Sequence, residues 1–264
     1  MSTRAELLRY LEQQREMYGN ILYVDSSAAP FDIPMTAMPT VREELLPAAD
    51  VDMTELLHDT TTRPTASMPQ PEWRLASSLP ALDSAINTCM QCPLGATRTN
   101  FVFGTGNPNA TLMVVGEAPG ADEDAQGLPF VGRAGQLLTK ILEAINFQRD
   151  DVYICNILKC RPPNNRKPLA DETDECEPYL AKQIELVRPK IILALGLTAA
   201  NTLLNNKLSM SDLRGTIHTY CDIPLMVTYH PAALLRNPEW KRHTWDDVQH
   251  LRTVHDNLVN TATS

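Results

Sequence analysis

Aromatic residues are scarce. Phenylalanine, tryptophan and tyrosine make up 6% of the 264 residues, so any large core has to be aliphatic. No apolar run approaches the roughly 20 residues that a membrane-spanning helix needs. Residues 1–6 carry mixed charge and lead into no apolar core of the signal-peptide kind. Secretion and membrane insertion are therefore not expected, and a cytoplasmic, monomeric protein is. An excess of positive charge is missing too. The net charge is −9, from 23 Lys+Arg against 32 Asp+Glu, which taken whole argues against a passive polyanion binder.

The acidity is uneven. Residues 1–79 hold 6 basic and 12 acidic side chains, and residues 80–264 hold 17 and 20. A local basic surface downstream is compatible with these numbers. Residues 4–19 read as a helix, with Leu7, Leu8, Leu11 and Tyr18 near one face. Within an amino-terminal unit of residues 1–25, that helix either docks on its own domain or binds a protein partner. Residues 26–79 contain seven prolines among Ala, Ser, Thr and Met without a lasting period, the pattern of a largely disordered linker. There is no internal repeat.

From residue 80 the pattern becomes regular. Short apolar runs at 111–115, 152–155, 191–195 and 225–228 alternate with helical periodicity at 81–88, 135–145, 171–187, 198–205 and 244–259. Continuously apolar strands alternating with helices predict a three-layer α/β/α domain around a central, mainly parallel four-stranded sheet. Ligands of such sheets bind at the carboxyl ends of the strands. The segments there are 116–124, 156–167, 196–198 and 229–238, and three of the four are rich in Gly, Pro and polar residues.

Six cysteines are present. Cys155 lies inside an apolar run and reads as a small core residue, and Cys221 stands alone. Cys89, Cys92, Cys160 and Cys176 fall in loops or at helix ends, where thiolates can face a metal. Four thiolates suit tetrahedral zinc or a 4Fe–4S cluster, and spacing does not choose between them.

Segment 116–124, GEAPGADED, makes a tight turn that can present N–H groups to an oxygen. It lacks the Lys-Ser/Thr of a P-loop and the spacing of a dinucleotide fingerprint. Phe130 sits in a Gly/Pro loop, as a core plug or as a platform for a planar ligand. Segment 156–167 holds four basic residues and no acidic one, which favours contact with phosphates. Asn156 at its start is a turn former or a reader of a base edge. His230, locked by Pro231, follows the last strand. Leu234 and Leu235 beyond it are core residues or a wedge for a base stack.

Together these segments resemble family 4 uracil-DNA glycosylases, the bacterial and archaeal iron–sulfur type. The resemblance covers about residues 80–260. It rests on GEAPGADED (116–124), GLPFVGRAGQLL (127–138), NILKCRPPNNRKP (156–168), CEPYLAKQIELVRPK (176–190) and HPAALLRNP (230–238), with VFGTGNP (102–108) and the Cys89/Cys92 pair.

The resemblance implies hydrolysis of the N-glycosidic bond of a uridine flipped out of DNA, single- or double-stranded. It implies that Phe130 stacks on uracil and that Asn156 pairs with N3–H and O4. His230 donates to O2 as uracil leaves as an anion, and the backbone of Gly116, Glu117 and Ala118 brackets the base. Cys89, Cys92, Cys160 and Cys176 carry a 4Fe–4S cluster. Lys159, Arg161, Arg166 and Arg236 contact the DNA backbone, with Leu234 beside them as backbone contact or wedge. Family 1 enzymes have an Asp where this chain has Ala118, so Glu117 is the nearest carboxylate for the attacking water, with Asp122 and Asp124 behind it. No basic insertion lies between Gly135 and Val152, so turnover is expected rather than covalent trapping. The main rival is a non-catalytic iron–sulfur protein that binds single strands or partners. A hydrolase of free nucleosides is disfavoured by the basic segment.

Overall fold

A computed structural model describes residues 71–261. The helix expected at 4–19 and most of the proline-rich stretch lie outside the described residues. Six strands form one sheet: β1 (Thr105–Gly106), β2 (Leu112–Gly116), β3 (Tyr153–Asn156), β4 (Ile191–Leu195), β5 (Ile217–Tyr220) and β6 (Ile223–Thr228). Their order is β1-β3-β2-β4-β6-β5. The inner four are mutually parallel and are the four strands expected. The edge strands β1 and β5 run antiparallel to β3 and β6 and have no apolar run to announce them. β1 has two residues. β5 alternates exposed with half-buried residues, and its hairpin turns on Cys221 and Asp222, both at positive φ. That is the geometry an Asn-Gly pair normally signals.

Side chains of a strand alternate between faces, and each face of this sheet has its own layer. Leu112 and Val114 of β2 pack with Leu138 and Leu142 of the Arg133–Ala144 helix and with Val248 and Leu251 of the Lys241–Thr261 helix. Met113 and Val115 pack on the opposite side, against three other helices. These are Leu79–Ile86 through Leu82, Ala170–Val187 through Leu180 and Ile184, and Leu197–Leu204 through Ala200 and Leu203. The spacing of three or four between inward residues is what puts one stripe of each helix on the sheet.

Folded structure begins earlier than residue 80. Glu72–Leu75 forms a 3-10 turn, and the Trp73 ring meets Tyr179 edge-on at 4.9 Å. Ser78 caps the next helix by accepting from the Ala81 N–H. No described helix is long and apolar enough to cross a membrane. The chain leaves β2 for β3 on one side, then returns to β4 on the other. This reversal opens a crevice beyond the carboxyl end of β2, where open α/β sheets bind ligands.

Candidate active site

The crevice has a volume of about 340 Å³. The segment after β2 contributes Glu117, Ala118 and Gly120. The glycine-rich loop adds Phe130. The end of β3 and its loop add Asn156, Asn165 and Arg166, and the segment after β6 adds His230 and Arg236.

Asn156 closes β3 and is 2% exposed. Its Oδ1 is fully buried with no hydrogen-bond partner. An acceptor stranded in this way typically costs about 1–3 kcal/mol. Two other side-chain atoms are stranded among the described residues, on Asn201 and Thr244, and neither residue lines this crevice. Gly116 makes room for the Asn156 amide. A Cβ there would come 2.4 Å from Oδ1 and 2.6 Å from the Phe130 ring.

Phe130 is 6% exposed and holds φ at +53°. Of eight non-glycine residues at positive φ among those described, four are Asn and one is Asp, types that tolerate this region. A buried phenylalanine is not such a type, and strain of order 1–3 kcal/mol at one residue is characteristic of functional loops. Two features hold it. Gly135 lets the next helix come close, since a Cβ there would lie 1.8 Å from the Phe130 carbonyl oxygen. The Glu123 carboxylate accepts from the N–H groups of Gly120, Val131 and Gly132 at 3.1, 2.9 and 3.0 Å, which ties the segment after β2 to the loop that carries the ring.

His230 faces Phe130, with ring centroids 5.5 Å apart and planes tilted by 32°. It caps the short Pro231–Arg236 helix, and its Nδ1 accepts from the Ala232 N–H at 3.2 Å. Burial, reinforced by the Arg236 charge, lowers its pKa to about 4. The ring is therefore neutral at pH 7. With Nδ1 used as acceptor, the proton sits on Nε2. The neutral ring can then donate to a ligand oxygen.

The four cysteines picked out for metal binding share one corner of the molecule. Cys160 and Cys176 are buried, with Cys89 and Cys92 packed against the same core. Donors already point at the sulfurs. Arg98 donates to Cys160 Sγ at 3.2 Å, the Lys159 N–H to Cys176 Sγ at 3.4 Å, and the Gln91 N–H to Cys89 Sγ at 3.5 Å. Burial pushes the Cys176 thiol up to about 12, Lys159 pulls it back, and Cys160 and Cys92 add to the rise. Burial raises Cys160 as well, against the Arg98 contact, with Cys92 and Cys89 close enough to contribute. Thiolates in such a place require a cation. Among the described residues no three His, Cys, Asp or Glu side chains gather closely enough to hold a single metal ion.

The family model of the Uracil DNA glycosylase superfamily matches residues 103–249. The type-4 uracil-DNA glycosylase of Archaeoglobus fulgidus is 42% identical over 180 residues, 65% of this chain and 90% of the relative. Those of Pyrobaculum aerophilum and Thermotoga maritima are 45% and 44% identical over 168 residues. They match 61% and 62% of this chain and 86% and 88% of their own lengths. The chain belongs to the uracil DNA glycosylase superfamily. Within that superfamily its resemblance is to the type-4 proteins.

In this superfamily member the crevice gathers Glu117, Ala118, Phe130, Asn156, Arg166, His230 and Arg236. Arg236 is exposed at the rim. Arg166 is partly spent, because its guanidinium is paired with the buried carboxylate of Glu172. Arg161, half-buried, donates its Nε–H to Asn165.

Two expectations are corrected. Lys159 is 0% exposed and cannot touch a DNA phosphate, because its ammonium donates to the Asn156 carbonyl and to Gln183 Oε1. Leu234 is 1% exposed and belongs to the core rather than to a wedge, since the helix that begins at Pro231 turns it inward; Leu235 is the exposed neighbour.

Two residues escaped the sequence reading. Glu123 was one of three acidic residues in an expected turn, yet it anchors the Phe130 loop. A glutamate three places after an N-cap glycine, able to accept from that glycine's N–H, is the signal. Gln183 is a polar residue on the buried stripe of the Ala170–Val187 helix, and its position on that stripe was the only clue.

Proposed function

We propose that the protein removes uracil from DNA by hydrolysing the N-glycosidic bond of a flipped-out deoxyuridine, leaving an abasic site. One observation carries this reading: a buried, stranded Asn156 Oδ1 beside a neutral, donor-competent His230 and an aromatic ring, in a crevice with room for a base. An acceptor at Oδ1 with the amide N–H₂ as donor complements N3–H and O4 of uracil. Cytosine presents an acceptor at N3 and a donor at N4, and it leaves both groups mismatched.

In the reaction, a water oxygen bonds to C1′ of the sugar while the bond to N1 breaks. The electron pair leaves with uracil. The charge that develops at O2 is met by His230 Nε2–H, a donor aimed at the transition state rather than at the ground state. Glu117 lines the crevice where Ala118 offers no carboxylate, and it orients the water and receives its proton. Phe130 stacks on the base, while Arg236, Arg161 and Arg166 meet the backbone. Every residue invoked comes from one chain, so a monomer suffices.

Cys89, Cys92, Cys160 and Cys176 fit a 4Fe–4S cluster. Bound there, the group would supply structural cross-linking and would fasten the loop after β3 to the helix that carries Cys176. A single zinc would need each thiolate at about 2.3 Å, and among the described residues no three such side chains gather closely enough to hold one ion.

The test of activity is a uracil-containing oligonucleotide treated with the protein and then with alkali. Strand scission supports the reading. Binding without base release supports the non-catalytic rival, and release from free deoxyuridine alone supports a nucleoside hydrolase. For the cluster, purified protein should be brown with iron but little zinc. Cys160→Ser should bleach it, and Cys221→Ser should not.

A further inference from the structure

The sequence assigns Lys159 to a basic DNA-binding run, and the structure removes it from that surface. Lys159 is a fully buried cation that forms no ion pair with any carboxylate among the described residues. Burying an ammonium is costly unless hydrogen bonds or a counter-charge replace its water. Its Nζ donates to the Asn156 carbonyl at 2.7 Å and to Gln183 Oε1 at 2.5 Å. Gln183 in turn donates to the Phe103 carbonyl at 2.9 Å and to the Tyr153 hydroxyl at 3.1 Å. The Lys159 main-chain N–H donates to Cys176 Sγ. One residue thus grips the last residue of β3, the opposing helix and a cysteine of the metal corner.

We propose that Lys159 is a positioning residue for uracil recognition: anchored on Gln183, its ammonium clamps the main-chain carbonyl of Asn156, so that the stranded Oδ1 stays aimed into the crevice. Asn156 is held from behind at its carbonyl, and its amide has no protein partner in front. Loss of the rear clamp frees the amide to rotate toward other donors. Displacements on the ångström scale at a reading group cost about 100-fold in rate. The inference rests on the proposed role of Asn156.

The test uses the full-length protein with Lys159→Met, which keeps the stem and removes the charge, and with Gln183→Met, which removes one acceptor and leaves the Asn156 contact. Three quantities are measured. They are single-turnover excision of uracil, affinity for DNA bearing non-hydrolysable 2′-fluorodeoxyuridine against DNA bearing an abasic analogue, and iron content with visible absorbance.

Lys159→Met should lose about 100-fold in excision and most of its preference for the fluorinated uridine. Abasic-DNA affinity and iron should stay at wild-type levels. Gln183→Met should follow in the same direction by a smaller factor. Wild-type excision in either variant overturns the proposal. So does loss of abasic-DNA affinity in step with loss of iron in both, which would make Lys159 a support of the fold or cluster only. If the unaltered protein releases no uracil, the functional reading itself fails and takes this inference with it.

Discussion

The crevice and the cysteine corner share the loop after β3, where Asn156, Asn165 and Arg166 line the one and Cys160 belongs to the other, and they treat polar groups in opposite ways. In the crevice, Asn156 Oδ1 has no partner, Phe130 holds a strained φ, and His230 is kept neutral. In the corner, Arg98 and the N–H groups of Lys159 and Gln91 already point at sulfur. The first region is incomplete until a ligand arrives and is built to exchange it. The second already supplies its sulfurs with donors from the protein. An unsatisfied buried group costs stability, and Asn156 Oδ1 carries that cost beside an aromatic ring and a neutral donor, which the cysteine corner does not.

That contrast can be broken from the crevice side. The largest effect is expected at Asn156. A site built on hydrogen bonds rejects a mismatch by about 10⁴ or more, so Asn156→Asp should lose uracil excision by that order. It should also gain weak release of cytosine, whose N4–H₂ suits a carboxylate. Single-turnover assays on both bases check this, and unchanged selectivity would mean that Asn156 reads nothing.

His230→Ala should slow uracil release by roughly 10²–10³, the usual cost of one transition-state donor, while DNA affinity changes little. A wild-type rate would leave His230 as a helix cap alone. Phe130→Ala should cost less, about 1–3 kcal/mol of base stacking, read as weaker binding of uracil-containing DNA with abasic DNA unaffected.

The pH dependence sharpens the same point. Because burial lowers His230 to about 4, its neutral, donating form persists well below the ordinary 6.5. Its share of the excision rate should stay level down to about pH 5 and fall only near 4. For stability, the unfolded chain takes up this proton near 6.5 and the folded chain only near 4. The unfolded state therefore binds more protons between these values, and stability should decline as pH falls through that window. His230→Gln should flatten that part of a denaturation-against-pH curve.

The smallest effect belongs to the rim. Arg236→Ala should weaken plain and uracil-containing DNA alike and reduce the salt slope by about one.

The inner four strands were legible because a sheet covered on both faces needs continuous apolar runs, and 111–115 and 191–195 are short runs of that kind, each ended by a glycine. β1 and β5 were not, since edge strands need no apolar run and the Cys221-Asp222 turn lacks the usual glycine. Asn156, His230 and Phe130 stood out as polar or aromatic residues just beyond strands or within glycine loops. The helix from Pro231 to Arg236 is too short to show a period in the sequence, although a proline one place after a capping residue is a helix-start signal.

The sequence by itself determined the layer order, the strand-end location of the site, and the residue types able to read a base or bind a metal. Those follow from local periodicity and from chemistry carried by each side chain. Only the tertiary structure decided which of these groups face the ligand. The charge of Lys159 reads as a surface contact in sequence, and the fold turns it inward to hold Asn156. Leu234 and Leu235 are equivalent as letters, and the turn of one short helix buries the first and exposes the second. Direction is a property of packed elements, because a side chain's environment is set by residues distant in the chain.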